Sequence, residues 1–382
     1  MEDTVEESYP WSIPYDDGST GVEVEDTSSG VVITEPFDPT LIRINPIAMN
    51  IDLLLKRIAQ KALELSPGFQ RKGGIWTTEA QSRLIESILI RIPISTIYVD
   101  ATDEDRWLIV DGLQRLTALK RFADGQLRLS GLEFLTQFNG ATYDGLPLRF
   151  KRRILETQIF VYAIQEGTPP DVKFNIFKRI NTGGLPLSAQ EIRHALNQGK
   201  VTDFLARMAG SPGFLEAVAR GISDKRMAAQ ECVLRFAAFT LTPYAAYHQV
   251  GDLDGFLNRA MANMNQMPDS EIAELENRFL RAMSAARDLF GRDAFRKKYR
   301  AGQTERYPIN KALFEAWSVN LGALNNDQIQ VLAQRREALM ERFIALMHQQ
   351  DFDEAISQGT GDVSKVAKRF GEVERIIREV LA

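Results

Sequence analysis

Chemically reactive side chains are scarce in this chain of 382 residues, which holds one cysteine, Cys232, and three histidines, His194, His248 and His348. A single thiol excludes an intrachain disulfide and fits a reducing compartment. The helical run over residues 231–240 marks Cys232 as core rather than nucleophile. The histidines fall in separate segments with no partner at metal-ligand spacing, so HExxH and Cys-rich zinc sites are excluded. GxSxG and the Walker loop GxxxxGK[ST] are absent too. No run of about 18 apolar residues occurs, which excludes a membrane-spanning helix. The acidic N-terminus has no apolar signal core. The sequence therefore predicts a cytoplasmic protein with no membrane partner.

Positive charge is missing from one region. The first 38 residues hold eleven of the 51 acids and neither Lys nor Arg, so a net charge of −5 for the chain becomes +6 for the remainder. Such composition predicts an acidic disordered tail over 1–38, one that solubilises the chain or covers a basic groove on the body. Tyr9, Trp11, Ile13 and Tyr15 are unusual for a plain spacer and hint at docking. The run Phe295-Arg296-Lys297-Lys298-Tyr299-Arg300 interleaves bases with aromatics. Arg296, Lys297, Lys298 and Arg300 are candidate nucleic-acid contacts, with a solvated helix end as the plainer alternative. Lys151-Arg152-Arg153 is a second basic cluster.

The remaining pattern divides near residue 210. Asn50 caps a predicted helix over 51–63, and Thr78 with Gln81 reads as the capping box of another that ends at Pro93. Strands are predicted at 94–99, 107–110 and 158–164, with loops over 125–148 and a small helix near 149–155. Pro169-Pro170 opens a helix that ends at Asn181-Thr182-Gly183-Gly184, where Asn and Gly are ordinary C-cap residues. Ser188 and Glu191 form a capping box for the next. From about 212 onward the apolar spacing is helical, including one long run over 327–347. The expectation is α+β: a small mixed sheet with helices over 39–210, then an all-α domain over 211–382.

One pentapeptide stands out, Asp111-Gly112-Leu113-Gln114-Arg115, between the β-rich run Trp107-Leu108-Ile109-Val110 and a helical run. A strand, a Gly-bearing turn and a helix start bring backbone N–H groups and a positive helix end to one point, which suits a phosphate. Arg115 offers a bidentate charged contact, and Asp111 a ligand for a metal ion or a water. An ordinary tight turn would look the same from spacing alone. Two further blocks accompany it: Phe69-Gln70-Arg71 with Trp76 and Ile92-Pro93-Ile94, and Phe177-Lys178-Arg179-Ile180-Asn181-Thr182-Gly183-Gly184 followed by Leu187-Ser188-Ala189-Gln190-Glu191-Ile192-Arg193. In this order, over about residues 40 to 210, the chain resembles the N-terminal, ParB/sulfiredoxin-like domain of GmrSD-type restriction proteins and related phage-defence proteins. Fainter similarity to the family's helical region runs from Thr360-Gly361-Asp362 through Lys365, Lys368 and Arg369.

The resemblance implies a domain that binds, and in some members hydrolyses, a nucleoside triphosphate with Mg²⁺, coupling nucleotide state to DNA or to a separate effector protein. It implies a nucleotide site of Gln70, Arg71, Gly112, Arg115, Arg179, Asn181, Thr182 and Gly183, with Asp111 and Gln114 in the chemistry and Asp111 toward Mg²⁺. Arg71 and Arg115 would neutralise phosphates, and Arg115, as an exposed cleft residue, would be dispensable to the fold. Leu113 departs from the family pattern, which has Gln there; Leu cannot hydrogen-bond a phosphate or position a water. Related multi-domain proteins add an HNH nuclease domain, whose clustered His and Asn are absent from this sequence. Two alternatives stay open: a non-catalytic DNA-binding or regulatory module that grips backbone phosphate, and a ParB-like metal-dependent nuclease. A structural reading also remains, in which Asp111 pairs with Arg71 and Gln114 satisfies backbone groups.

Overall fold

In the computed structural model, which describes residues 20–25, 42–65, 76–180 and 187–382, helical and alternating apolar patterns resolve into two compact units. One is Glu35–Gln198; the other joins residues 20–25 to Gly199–Ala382.

The first unit runs β1 (Ile44–Asn50), α1 (Ile51–Ala59), β2 (Leu63–Glu64), α2 (Thr78–Leu89), β3 (Ile97–Asp100), β4 (Trp107–Asp111), α3 (Leu113–Ala123), α4 (Leu148–Glu156), β5 (Gln158–Ile164), α5 (Pro170–Ile180) and α6 (Ala189–Leu196). The sheet order is β1-β5-β3-β4-β2, with β1–β5 and β3–β4 antiparallel and β3–β5 and β2–β4 parallel. β1 is legible only in three dimensions. Its Pro46 lacks an N–H, which confines such a strand to a sheet edge, and an edge is where it lies.

Period-2 alternation sorts the side chains onto two faces. Ile97, Val99, Trp107, Ile109, Ile159, Val161 and Ala163 join a core with apolar residues of α1 to α4, among them Leu54, Ile85, Leu116, Phe122 and Ile154. On the other face Val110 and Ile164 pack with Phe174 and Phe177 of α5 and Ile192 of α6. Asn50 caps α1 by accepting from the Leu53 N–H at 2.9 Å. The predicted box of Thr78 with Gln81 does not form: Thr77 is the cap, accepting from the Ala80 N–H at 3.2 Å, and Gln81 turns its amide to the Trp76 carbonyl instead. The Ser188–Glu191 box forms as expected.

The second unit holds α7 (Lys200–Ala209), α8 (Pro212–Ala217), α9 (Ala228–Leu241), α10 (Leu253–Gln266), α11 (Asp269–Phe290), α12 (Lys311–Gly322), α13 (Asn326–Gln334), α14 (Arg336–Met347), α15 (Gln350–Ser357) and α16 (Val363–Leu381). Its boundary lies earlier than 211, because Val201, Phe204 and Leu205 of α7 are core residues of this unit. The long helix predicted over 327–347 breaks at Arg335, whose ψ of 28° leaves the helical well. Cys232 is fully buried, and that burial pushes its thiol up to about 12, so it is core and not a nucleophile. No helix among the described residues is long and apolar enough to cross a membrane.

Residues 20–25, expected to belong to a detached acidic tail, are instead built into this unit. Val22 pairs with Ile309 as an isolated parallel bridge, and the Glu23 and Glu25 side chains are 4% and 9% exposed. The other residues of 1–38, with Tyr9, Trp11, Ile13 and Tyr15, lie outside the described residues.

Candidate functional site

β4 and α3 meet at Gly112. Its φ of 101° belongs to glycine, and a Cβ there would stand 2.8 Å from Cγ1 of Ile97. Gly112 therefore turns the chain within one residue, and α3 starts at Leu113 with no side chain capping its N-terminus. The first-turn amides of a helix have no intrahelical acceptor. Here they form the positive end of an 11-residue helix. The strand–turn–helix predicted for the pentapeptide is present.

Arg115 does not have the predicted role of an exposed phosphate grip. It is 9% exposed. One terminal nitrogen donates to the Ser95 carbonyl at 2.6 Å, the Ser95 hydroxyl at 2.5 Å and the Thr96 carbonyl at 2.7 Å. The other donates to an Asp111 carboxylate oxygen at 2.7 Å. The i,i+4 spacing brings Asp111 and Arg115 together across the turn. The guanidinium thus ties β4, the start of α3 and the irregular segment leading into β3 into one junction. Asp111 keeps its second carboxylate oxygen clear of hydrogen bonds among the described residues, with a side chain 26% exposed.

Gln114 also turns inward. Its side-chain carbonyl accepts from the Trp76 N–H at 3.2 Å. Gln81 in turn donates to the Trp76 carbonyl at 2.6 Å and accepts from Arg121 at 2.8 Å. Trp76 packs against the main core. Gln114 satisfies a backbone group, as the structural reading had it, and among the described residues Asp111 pairs with Arg115, while Arg71 lies outside them. Leu113 packs its hydrocarbon against the same core, so nothing at that position can orient a water.

Arg179 is exposed in the last turn of α5, the helix whose Phe174 and Phe177 pack with Val110, the neighbour of Asp111. Gln70, Arg71, Asn181, Thr182 and Gly183 lie outside the described residues, as do Phe69 and Gly184. Among the described residues no three His, Cys, Asp or Glu groups gather as a metal site. Among the described residues Asp111 is therefore not part of a three-carboxylate cage. That donor set suits Mg²⁺ held chiefly by the phosphates of a nucleotide, because Mg²⁺ commonly takes one or two protein carboxylates and keeps several waters.

Three features escaped sequence reasoning. Ser95 and Thr96 read as plain strand residues, yet their carbonyls and a hydroxyl hold Arg115. Lys173 of α5 is buried and pairs with Asp100 at the end of β3 at 3.3 Å, while also bonding Thr102; nothing in its helical spacing sets this lysine apart. Glu86 of α2 accepts from the N–H groups of Glu133, Phe134 and Leu135 at 3.0, 2.7 and 2.7 Å.

The four bases of the run near residue 296 do not form one exposed surface. Arg296 and Lys297 are 5% and 4% exposed. Arg296 donates to the Tyr307 carbonyl, and burial, with Arg306 nearby, pulls its guanidinium down to about 10. Lys297 pairs with Glu23 at 2.8 Å, and Lys298 with Asp293 at 2.8 Å. Arg300 is the one base of the four that stays exposed, paired with Glu305 at 3.2 Å. The aromatics between them supply the reason: Phe295 and Tyr299 are buried, and they carry their neighbours into the core. In the second cluster Arg153 is bonded to the Leu89 carbonyl and Lys151 lies 3.6 Å from Asp144.

Residues 52–197 match the family model described as the GmrSD restriction endonuclease N-terminal domain. That span runs from the second residue of α1 through α6 and contains the whole pentapeptide junction and the Ser188–Glu191 box. No curated protein matches the sequence.

Proposed function

We propose, for a chain whose residues 52–197 form a GmrSD restriction endonuclease N-terminal domain, a nucleoside-triphosphate-binding role in a restriction or phage-defence system. The nucleotide phosphates lie against the first-turn amides of α3. The observation that carries this reading is the junction itself, a strand end, a glycine with φ of 101° and an uncapped helix start. Such geometry suits an anion. Arg115 serves as a positioning residue: it spends its donors on Ser95, Thr96 and Asp111, so the phosphate charge falls to the helix end, to Arg179 and to Gln70-Arg71. Asn181, Thr182 and Gly183 supply polar and backbone groups from the segment after α5. Asp111 is the residue that would hold Mg²⁺, through its uncommitted oxygen; the ion would neutralise phosphate charge.

Binding with slow or absent hydrolysis fits best, because Leu113 stands in the core-facing position where a Gln would be needed to place a water. Nucleotide state would then be read by DNA or by a separate effector protein. Titration calorimetry with a nucleoside triphosphate tests the reading. Tight binding with Mg²⁺, weakened at least about tenfold by Asp111→Asn in a protein of unchanged fold, is the expected result. Equal affinity of both proteins in the presence of Mg²⁺ would remove Asp111 from the site. Absence of any nucleotide binding, with duplex DNA bound instead, would favour the module that grips backbone phosphate. Metal-dependent nicking of DNA would favour the nuclease.

A further inference from the structure

The second unit buries an unusual cluster of charge. Arg235 of α9 is 2% exposed and meets Glu25 at 2.5 Å, Glu231 at 2.9 Å and Glu315 at 3.3 Å. Lys311 meets Glu231 at 3.0 Å and Glu25 at 3.5 Å, and Arg369 reaches the fully buried Glu315 at 2.8 Å. Nearby Lys297 meets Glu23 at 2.8 Å and the Ser357 hydroxyl at 2.7 Å. Asn310 donates to Glu23 at 3.1 Å, and Thr360 to Glu25 at 2.7 Å. Four carboxylates thus balance four cations, and two of the four come from residues 23 and 25.

Those two come from far away in the chain. The partners of Glu23 and Glu25 lie 210 to 335 positions later. Without them, Glu231 and Glu315 alone would face Arg235, Lys297, Lys311 and Arg369, an excess of two positive charges in a buried place. An extended chain puts residues i and i+2 on one side. Glu23 and Glu25 therefore point together into the unit, while Val24 between them is 52% exposed. This inverts the ordinary strand, which buries its apolar residues and exposes its charges. The segment is held by charge complementarity and by single backbone bonds: Ser223 N–H to the Thr20 carbonyl at 2.8 Å, Ile309 N–H to the Gly21 carbonyl at 3.1 Å, and Glu23 N–H to the Ile309 carbonyl at 2.8 Å. Val22, 3% exposed, joins the core. At Gly21, with φ of 76°, a Cβ would sit 1.9 Å from the Gly221 carbonyl oxygen. Each position from 21 to 25 except 24 is thus specified by its surroundings, as in a peptide added along an exposed backbone edge.

We propose that the second unit carries a recognition slot for an extended Gly-Val-Glu-x-Glu segment, that residues 21–25 are its resident ligand, and that the slot accepts the same segment in trans from a second copy of this chain. The slot walls come wholly from Gly199–Ala382, so the site is complete apart from its anions. The ligand is fixed by chemistry: two carboxylates two residues apart, a residue before them that tolerates no side chain, and a small apolar residue between that glycine and the first carboxylate.

The test uses the full chain with a recognition site for a sequence-specific protease inserted between Ser29 and Gly30. After cleavage, the N-terminal fragment should stay with the body through gel filtration. A dye-labelled peptide of residues 17–28 should then exchange into the cleaved protein, read by fluorescence anisotropy. A peptide carrying Glu23→Gln and Glu25→Gln should compete at least about thirtyfold more weakly, since Lys297 would lose its carboxylate and Arg235 and Lys311 would each lose one of theirs. The Gly21→Ala peptide should fail comparably, which separates a shaped slot from general attraction of acids to bases. Release of the fragment with no peptide uptake overturns the proposal. So does a fragment that stays bound and never exchanges, because it would then be a permanent piece of the core. Equal competition by the Gly21→Ala peptide would reduce the slot to an unspecific cation cluster and likewise overturn it.

Discussion

Arg115 shows how far a single side chain can differ from its apparent role. Its donors go to two backbone carbonyls, a hydroxyl and a carboxylate, so Arg115→Ala would leave those groups and Asp111 without their buried partner. The substitution should lower unfolding free energy by about 3 kcal/mol, read as a lower urea midpoint. An unchanged midpoint with nucleotide affinity lost would show that Arg115 contacts ligand after all. Gly112→Ala tests the turn. A methyl group would meet Ile97 at 2.8 Å and force a non-glycine residue to φ of 101°. A loss of about 2 kcal/mol is expected in the same assay. Leu113→Gln addresses chemistry instead. If the missing polar group limits hydrolysis, phosphate release should rise while nucleotide affinity changes little, the pattern of a contact made in the transition state.

At the scale of elements, the loop after α3 is fastened to α2 by one carboxylate. Burial alone would raise the Glu86 carboxyl, but hydrogen bonds from the amides of Glu133, Leu135 and Phe134 outweigh it and hold the group below its ordinary value of 4.5. A depressed folded value means that the unfolded chain takes up the proton first on acidification. The contribution of Glu86 is therefore complete above the ordinary value and is lost as pH falls below it through the folded value. Glu86→Gln should cost about 1–3 kcal/mol at neutral pH. The gap between the two proteins should close as the pH falls below the ordinary carboxyl value, in urea titrations at a series of pH values. A gap that stays constant would assign the effect to packing. The same scale explains why Asp111 and Arg115 meet: Gly112 removes one residue's worth of turn, and α3 then returns residue 115 to the strand end.

For the molecule as a whole, the buried charges of the second unit set the terms of stability. Glu315 is fully buried between Arg235 and Arg369, and breaking such a pair leaves an uncompensated charge. Glu315→Gln should destabilise this unit by about 3–5 kcal/mol, measured as an earlier thermal transition. Glu25 behaves as the linkage argument requires. Burial would raise its carboxyl, but Arg235 and Lys311 hold it below its ordinary value, so its share of stability is present at neutral pH and lost on acidification. Removing Glu23 and Glu25 thus takes carboxylates away from the buried Lys297, Arg235 and Lys311. The two acids were legible as composition; that they fold inward was not, because their partners lie more than 200 positions away.

Local chemistry was sufficient for the sequence to determine the helices with caps, the strands at the β3–β4 hairpin and β5, the α+β order followed by an all-helical unit, and the strand–turn–helix at Gly112. Each depends on residues within about one turn or one strand of one another, where propensity, capping and alternation act directly. The resemblance to the restriction-type domain was legible for the same reason, as short motifs in order. Tertiary structure alone decided which polar groups were spent. Ser95 and Thr96 claimed Arg115, Trp76 claimed Gln114, Phe295 and Tyr299 drew Arg296 and Lys297 inside, and Glu23 and Glu25 completed a cluster formed by α9, α12 and α16. A guanidinium or carboxylate looks the same in sequence whether it meets solvent, a ligand or a buried partner. Burial makes the difference, since a charge taken out of water must find its complement wherever the fold has placed one.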